Sequence, residues 1–147
     1  MNENKKTKCS EYDLELLSSE ESFGQYLRRV RMCQGISIRQ LAKKIDITPT
    51  YLSDIENGNN KPPDKVLLLK IINELQLDSS LKTKSNLFDL AAKERNDIPI
   101  DIKDYILSNS SILQIIREAK EKSSSDKEIK SRILKRTGGN DYEKQKS

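Results

Sequence analysis

The sequence predicts an all-α fold: a helical domain over residues 21–77 followed by additional C-terminal helices. Three observations predict it. Apolar residues recur at helical intervals from residue 21 to about 135. No stretch alternates apolar and polar residues as a half-buried strand does. Residue types that start and stop helices bracket the successive apolar stripes. The expected organisation is a flexible N-terminal arm (1–20), the helical domain (21–77), a C-terminal helical region with a dimerisation role (78–135) and a disordered tail (136–147).

Each element has a local reason. Tyr12, Leu14, Leu16 and Leu17 give the arm side chains that can dock. Phe23, Leu27 and Val30 mark one face of a helix over 23–34, and Gly35 stops it. Ser37 is an N-cap with Gln40 three residues later, the capping-box pattern. Leu41 and Ile45 form that helix's stripe, and Ala42 allows close approach. Asp46 to Thr48 make a turn. Thr48 before Pro49 opens the next helix, because proline suits the first helical position. Leu52 and Ile55 point inward, Asn57-Gly58 ends the helix, and Asn59 to Pro63 form a loop. Leu68, Ile71, Ile72 and Leu75 predict a helix from about Asp64 to Leu75. Further stripes predict helices over Ser80–Arg95, around Ile102–Ile106, through Ile112–Lys122 and beyond Ser125.

Composition excludes several functions. Apolar residues make up 34% and charged residues 34%, against ~45–50% and ~25% in ordinary domains. The core is thin, and with no Trp a large hydrophobic ligand pocket is not expected. With no His, neither a Ser-His-Asp triad nor a His-liganded zinc site can form. Two cysteines cannot close a four-ligand site, and no Gly-rich phosphate loop is present. No cofactor, metal or catalytic residue is expected. Cys9 and Cys33 sit in no CxxC and are expected as free thiols in a cytoplasmic protein. The longest apolar run, Val66–Leu69, is too short to span a bilayer. The net charge is +4, of which +3 lies in residues 21–77. That balance suits a polyanion, although charge alone favours the reading of a solvated face.

The stretch Ile36–Gly58 is the informative part. Two short helices joined by a tight turn place Leu41, Ala42, Ile45, Ile47, Leu52 and Ile55 inward. Such a unit cannot bury its own apolar faces, so the segments 23–34 and 64–75 must cover it. The outer face of the second helix is then free to enter a DNA major groove, which is ~12 Å wide. Ser37–Ile45 resembles the first motif helix of the lambda-repressor/Cro-like (XRE) helix-turn-helix family. Thr48–Gly58, with its Ile-Glu-x-Gly ending, resembles that family's recognition helix. Asp46 stands where the family usually has Gly, and Asp tolerates positive φ better than most residues. Ile38 replaces a Gln that often contacts phosphate.

The resemblance implies roles residue by residue. Thr48, Thr50, Tyr51 and Asp54 face outward toward bases or adjacent phosphates. Asp54 suits a cytosine N4 deep in the groove. Pro49 stands at a base-reading position, where its ring can touch a thymine methyl. Ser37, Asn57, Asn59 and Lys61 sit where the family contacts the DNA backbone, with Arg28, Arg39 and Lys43 as further candidates. Arg31 and Glu56 occupy positions the family pairs structurally.

The resemblance implies a sequence-specific regulator of double-stranded DNA, a repressor acting as a homodimer on an inverted repeat. The helices of 80–135, with Ile112, Leu113, Ile115 and Ile116, either hold the dimer together or pack their own half. The alternative is an antitoxin-type protein that binds a protein partner through those helices and represses its own operon. Membrane binding by 123–136 is not expected, since its apolar face is small.

Overall fold

In a computed structural model, residues 9–122 and 125–136 are described. The tail expected from 136 lies outside them from residue 137 onward, as do the first eight residues of the arm. Contacts divide the chain into two units, Met1–Ile100 and Asp101–Ser147. Among the described residues all regular elements are helical.

The first unit contains α1 (Glu11–Glu15), α2 (Phe23–Cys33), α3 (Ile38–Lys44), α4 (Pro49–Glu56), α5 (Lys65–Glu74), a 3-10 turn at Leu77–Ser79, and α6 (Leu81–Arg95). α2 and α3 begin in the capping boxes Ser22/Gln25 and Ser37/Gln40. Thr48 and Asp64 cap α4 and α5 through their side-chain oxygens. These caps satisfy backbone donors that a helix leaves unpaired at its start. α3 packs against α4 and α5, and α4 packs against α2. Phe23, Leu27, Val30, Leu41, Ala42, Ile45, Leu52, Ile55, Leu68 and Ile71 form the shared core. Ile47 is only half-buried but packs on it.

Two features differ from the sequence reading. First, α6 packs on α2 and α1 and buries Leu87, Phe88, Leu90 and Ala91 in the same core. The first unit therefore extends past residue 77, and the helices expected over 78–135 are divided between the two units. Second, the arm from Cys9 onward is tied down. Leu14 is buried, Tyr26 Oη donates to Leu14 O at 2.6 Å, and Asn86 Nδ2 donates to Glu15 O at 3.1 Å. Arg29 bonds both carboxylate oxygens of Glu21 and the carbonyls of Asp13 and Leu16. This packing brings Cys9 and Cys33 to a Cα separation of 5.4 Å, within bridging range, and they form a disulfide. The expectation of two free thiols is corrected: 24 residues of sequence separation hid a spatial neighbour.

The second unit holds α7 (Ile100–Ser108) from Asp101 onward, α8 (Ser110–Lys122) and α9 (Asp126–Arg136), and α8 packs against α9. Ile112, Ile115 and Ala119 are buried and Leu113 is half-buried, whereas Ile116 is 40% exposed. α7 buries none of its residues: Ile102, Tyr105 and Leu107 are exposed.

Candidate nucleic-acid interface

The site is set by how three helices end. α2, α3 and α4 each close with the same pair of backbone bonds. Gly35 N–H donates to Met32 O (2.9 Å) and Ile36 N–H to Arg31 O (3.2 Å). Asp46 and Ile47 donate likewise to Lys43 O and Ala42 O, and Gly58 and Asn59 to Ile55 O and Asp54 O. This closure requires a left-handed residue after the helix. Gly35 and Gly58 supply it at φ +70° and +78°, and Asp46 adopts it at φ 61°. The tight turn between α3 and α4 thus keeps its geometry with aspartate in the glycine position.

A buried ion pair locks the back of α4. Arg31 Nε lies 2.6 Å from Glu56 Oε1 and its Nη2 donates to Oε2 at 2.9 Å. The two side chains are 7% and 2% exposed. Arg31 Nη1 also donates to Ile36 O at 2.7 Å, one residue before the cap of α3. One guanidinium therefore joins α2, the start of α3 and the end of α4. Its donors are directed inward, which matches the structural role implied by the resemblance.

The opposite face of α4 is open. Pro49, Thr50, Tyr51 and Asn57 are exposed and Asp54 is half-buried, while Leu52, Ile55 and Glu56 are covered. Thr48 Oγ1 accepts from Tyr51 N–H at 3.1 Å, leaving the hydroxyl proton free to donate outward. Ser37 Oγ accepts from Gln40 N–H in the same way, at 3.1 Å. Arg39 and Lys43 are exposed on α3. The loop after α4 folds back on it: Asn59 and Asn60 N–H both donate to Asp54 O, at 2.8 and 3.2 Å. Asn59, Asn60 and Lys61 then line a concavity of ≈ 540 Å³ with Tyr51 and Arg95. Arg28 is separate. It lines another concavity with Gln25, Met32 and the Cys9–Cys33 bridge. Ile38 packs against the core, so it cannot stand in for a polar phosphate contact.

Sequence reading passed over Asn60 and Arg95. Asn60 adjoins predicted residues and was within reach of the same reasoning. Arg95 was not: it comes from the last turn of α6 and reaches the loop only through the tertiary fold. No helix among the described residues is long and apolar enough to cross a membrane.

Comparison with known proteins gives no match among curated proteins or solved structures. It does match residues 27–81 to the family model described as helix-turn-helix. That span runs from within α2 to the first residue of α6 and contains the α3–turn–α4 unit with its buried Arg31–Glu56 lock. The matched span, residues 27–81, is therefore a helix-turn-helix domain of the kind found in XRE-family DNA-binding regulators, with α3 and α4 as its two motif helices.

Proposed function

We propose that the chain is a transcriptional repressor that binds an inverted-repeat operator as a homodimer. The observation that carries this reading is the open outer face of α4, with Thr50, Tyr51 and Asp54 set between capped ends and a covered back. In this reading Thr48, Pro49, Thr50, Tyr51 and Asp54 meet base edges or adjacent phosphates. Ser37, Asn57, Asn59 and Lys61 contact the backbone and fix register. Arg39 and Lys43 add charge from α3, and Arg28 is the outermost candidate.

A single domain reads about half an operator, and two-fold dimers place recognition helices about one DNA turn, ~34 Å, apart. The exposed Ile102, Tyr105, Leu107, Ile116 and Leu134 of the second unit support a dimer contact, since large apolar side chains gain by leaving water. The same side chains also suit a heterologous protein, which keeps the antitoxin-type reading as the alternative. Bound at a promoter, the dimer would repress by blocking polymerase.

Selection of random duplex DNA by the purified full chain, repeated with Asp54→Ala, tests the reading. An enriched inverted repeat that the variant alters supports it. Salt-sensitive background binding without enrichment overturns it in favour of a protein that needs a partner. Thr50→Ala should change base preference, while Lys61→Ala should weaken all sequences alike. Equal effects from both would sink the division into base-reading and backbone residues.

A further inference from the structure

We propose that Arg95 is a DNA-backbone contact and forms, with Asn59, Asn60 and Lys61, a phosphate-binding cradle whose far wall is the last turn of α6. The proposal rests on the DNA-binding reading but reaches beyond the family-matched segment, which stops at residue 81.

Three observations carry it. Arg95 lines the same concavity as Tyr51, Asn59, Asn60 and Lys61, beside the exposed face of α4. Arg95 Nη2 donates to Pro62 O, so the guanidinium is held at the loop rather than left on a free stem. A guanidinium carries five N–H donors in a fixed fork matched to phosphate oxygens, and this bond uses one of them. The chain at the other end of the arginine is rigid too. The neighbouring Glu94 Oε1 accepts from Phe23 N–H at 2.7 Å, tying the last turn of α6 to the first residue of α2.

The charge balance of the cradle favours an anion. Lys61 and Arg95 face one carboxylate, Asp64, whose Oδ1 accepts from Leu67 N–H at 2.9 Å as the cap of α5. The asparagine side chains at 59 and 60 are exposed and bring neutral amide donors. A cation in the last turn of α6 also complements that helix's negative end, which explains why an arginine is tolerated there in the unbound protein. A sugar-phosphate backbone is the polyanion that lies beside a recognition helix in the major groove. The cradle would grip it at the flank of the site and carry no sequence information.

Binding of the full chain to a random-sequence duplex pool, followed from 50 to 200 mM salt, tests this. Each phosphate contact adds about 0.9 to the slope of log affinity against log salt. Arg95→Gln should therefore lower the slope by that amount, so that the parent's advantage shrinks about 3.5-fold across the range. Arg95→Lys keeps the charge and should keep the slope, while losing the fork held by Pro62 O. Melting by circular dichroism checks that each variant folds. If the glutamine variant does not fold, Arg95→Met decides in its place: a slope lowered by one phosphate supports the contact and an unchanged slope overturns it. An unchanged slope in a folded Arg95→Gln, whatever its affinity, overturns the proposal and leaves the DNA-binding reading intact. If the parent shows no salt-dependent duplex binding, both fall together.

Discussion

Truncating Arg31 should unfold this protein before it impairs any contact with DNA. In Arg31→Ala the Glu56 carboxylate, 2% exposed in the parent, loses both of its guanidinium bonds. Removing one partner of a buried pair is worth ~3–5 kcal/mol. The bond to Ile36 O disappears as well, adding about 1 kcal/mol. Against a stability of ~5–15 kcal/mol for an ordinary domain, the variant approaches its unfolding threshold. The double variant Arg31→Met/Glu56→Leu removes both charges and fills the space with apolar atoms. It should recover most of the loss, because a buried pair is often no better than its hydrophobic replacement. Urea unfolding of parent, single variants and double variant measures this directly. Duplex binding under conditions where the variant is still folded should keep the parent's salt slope. The reasoning is refuted if Arg31→Ala unfolds at the parent's urea midpoint and its slope is lower by one phosphate contact, since Arg31 would then be a DNA ligand.

Three further outcomes follow from the packing. Gly24→Ala would stabilise an open helix, but here an added Cβ would lie 2.4 Å from Ile55 O and 2.5 Å from Glu56 O. Both atoms are backbone, so α2 and α4 must part, and the expected loss is ~1–3 kcal/mol by thermal unfolding; a gain would show that the two helices do not sit this close. Tyr26 is fully buried, and burial raises its phenol above the usual value near 10, against the lowering influence of Asn86 and Thr83. The folded state then holds that proton more tightly than the unfolded state, so this contribution is complete below the unfolded value and declines as pH rises through the folded one. Tyr26→Phe should abolish the alkaline loss and lower stability by ~1–3 kcal/mol, because Leu14 O and Asn86 Nδ2 lose a partner. Finally, Cys9→Ser opens a loop whose ends are 24 residues apart, worth about 3.5 kcal/mol on chain-entropy grounds. Reduction of the parent should match the variant, and a parent whose unfolding ignores reductant would show that the bridge adds no stability.

The sequence by itself determined the local punctuation of the fold. Ser37 with Gln40, Thr48 with Pro49, Gly35 and Gly58 were legible because caps and stops act within about one helical turn. The positive φ of Asp46 was legible for the same reason, and so were the inward Leu41, Ala42, Leu52 and Ile55. The Arg31–Glu56 lock spans 25 residues and became visible only through resemblance to a family that pairs those positions. The tertiary structure alone decided what the remaining long-range partners are. Glu94 reaches Phe23 across 71 residues, Arg95 reaches Pro62 across 33, and Asn86 reaches Tyr26 across 60. None of these has a local signal, since a solvated arginine and one clamped to a distant carbonyl look alike in a polar helix face. The same holds for the cysteines: no pattern marks them as neighbours until α1 folds back and α6 closes the first unit. Periodicity says which face of a helix is buried, and only packing says against what.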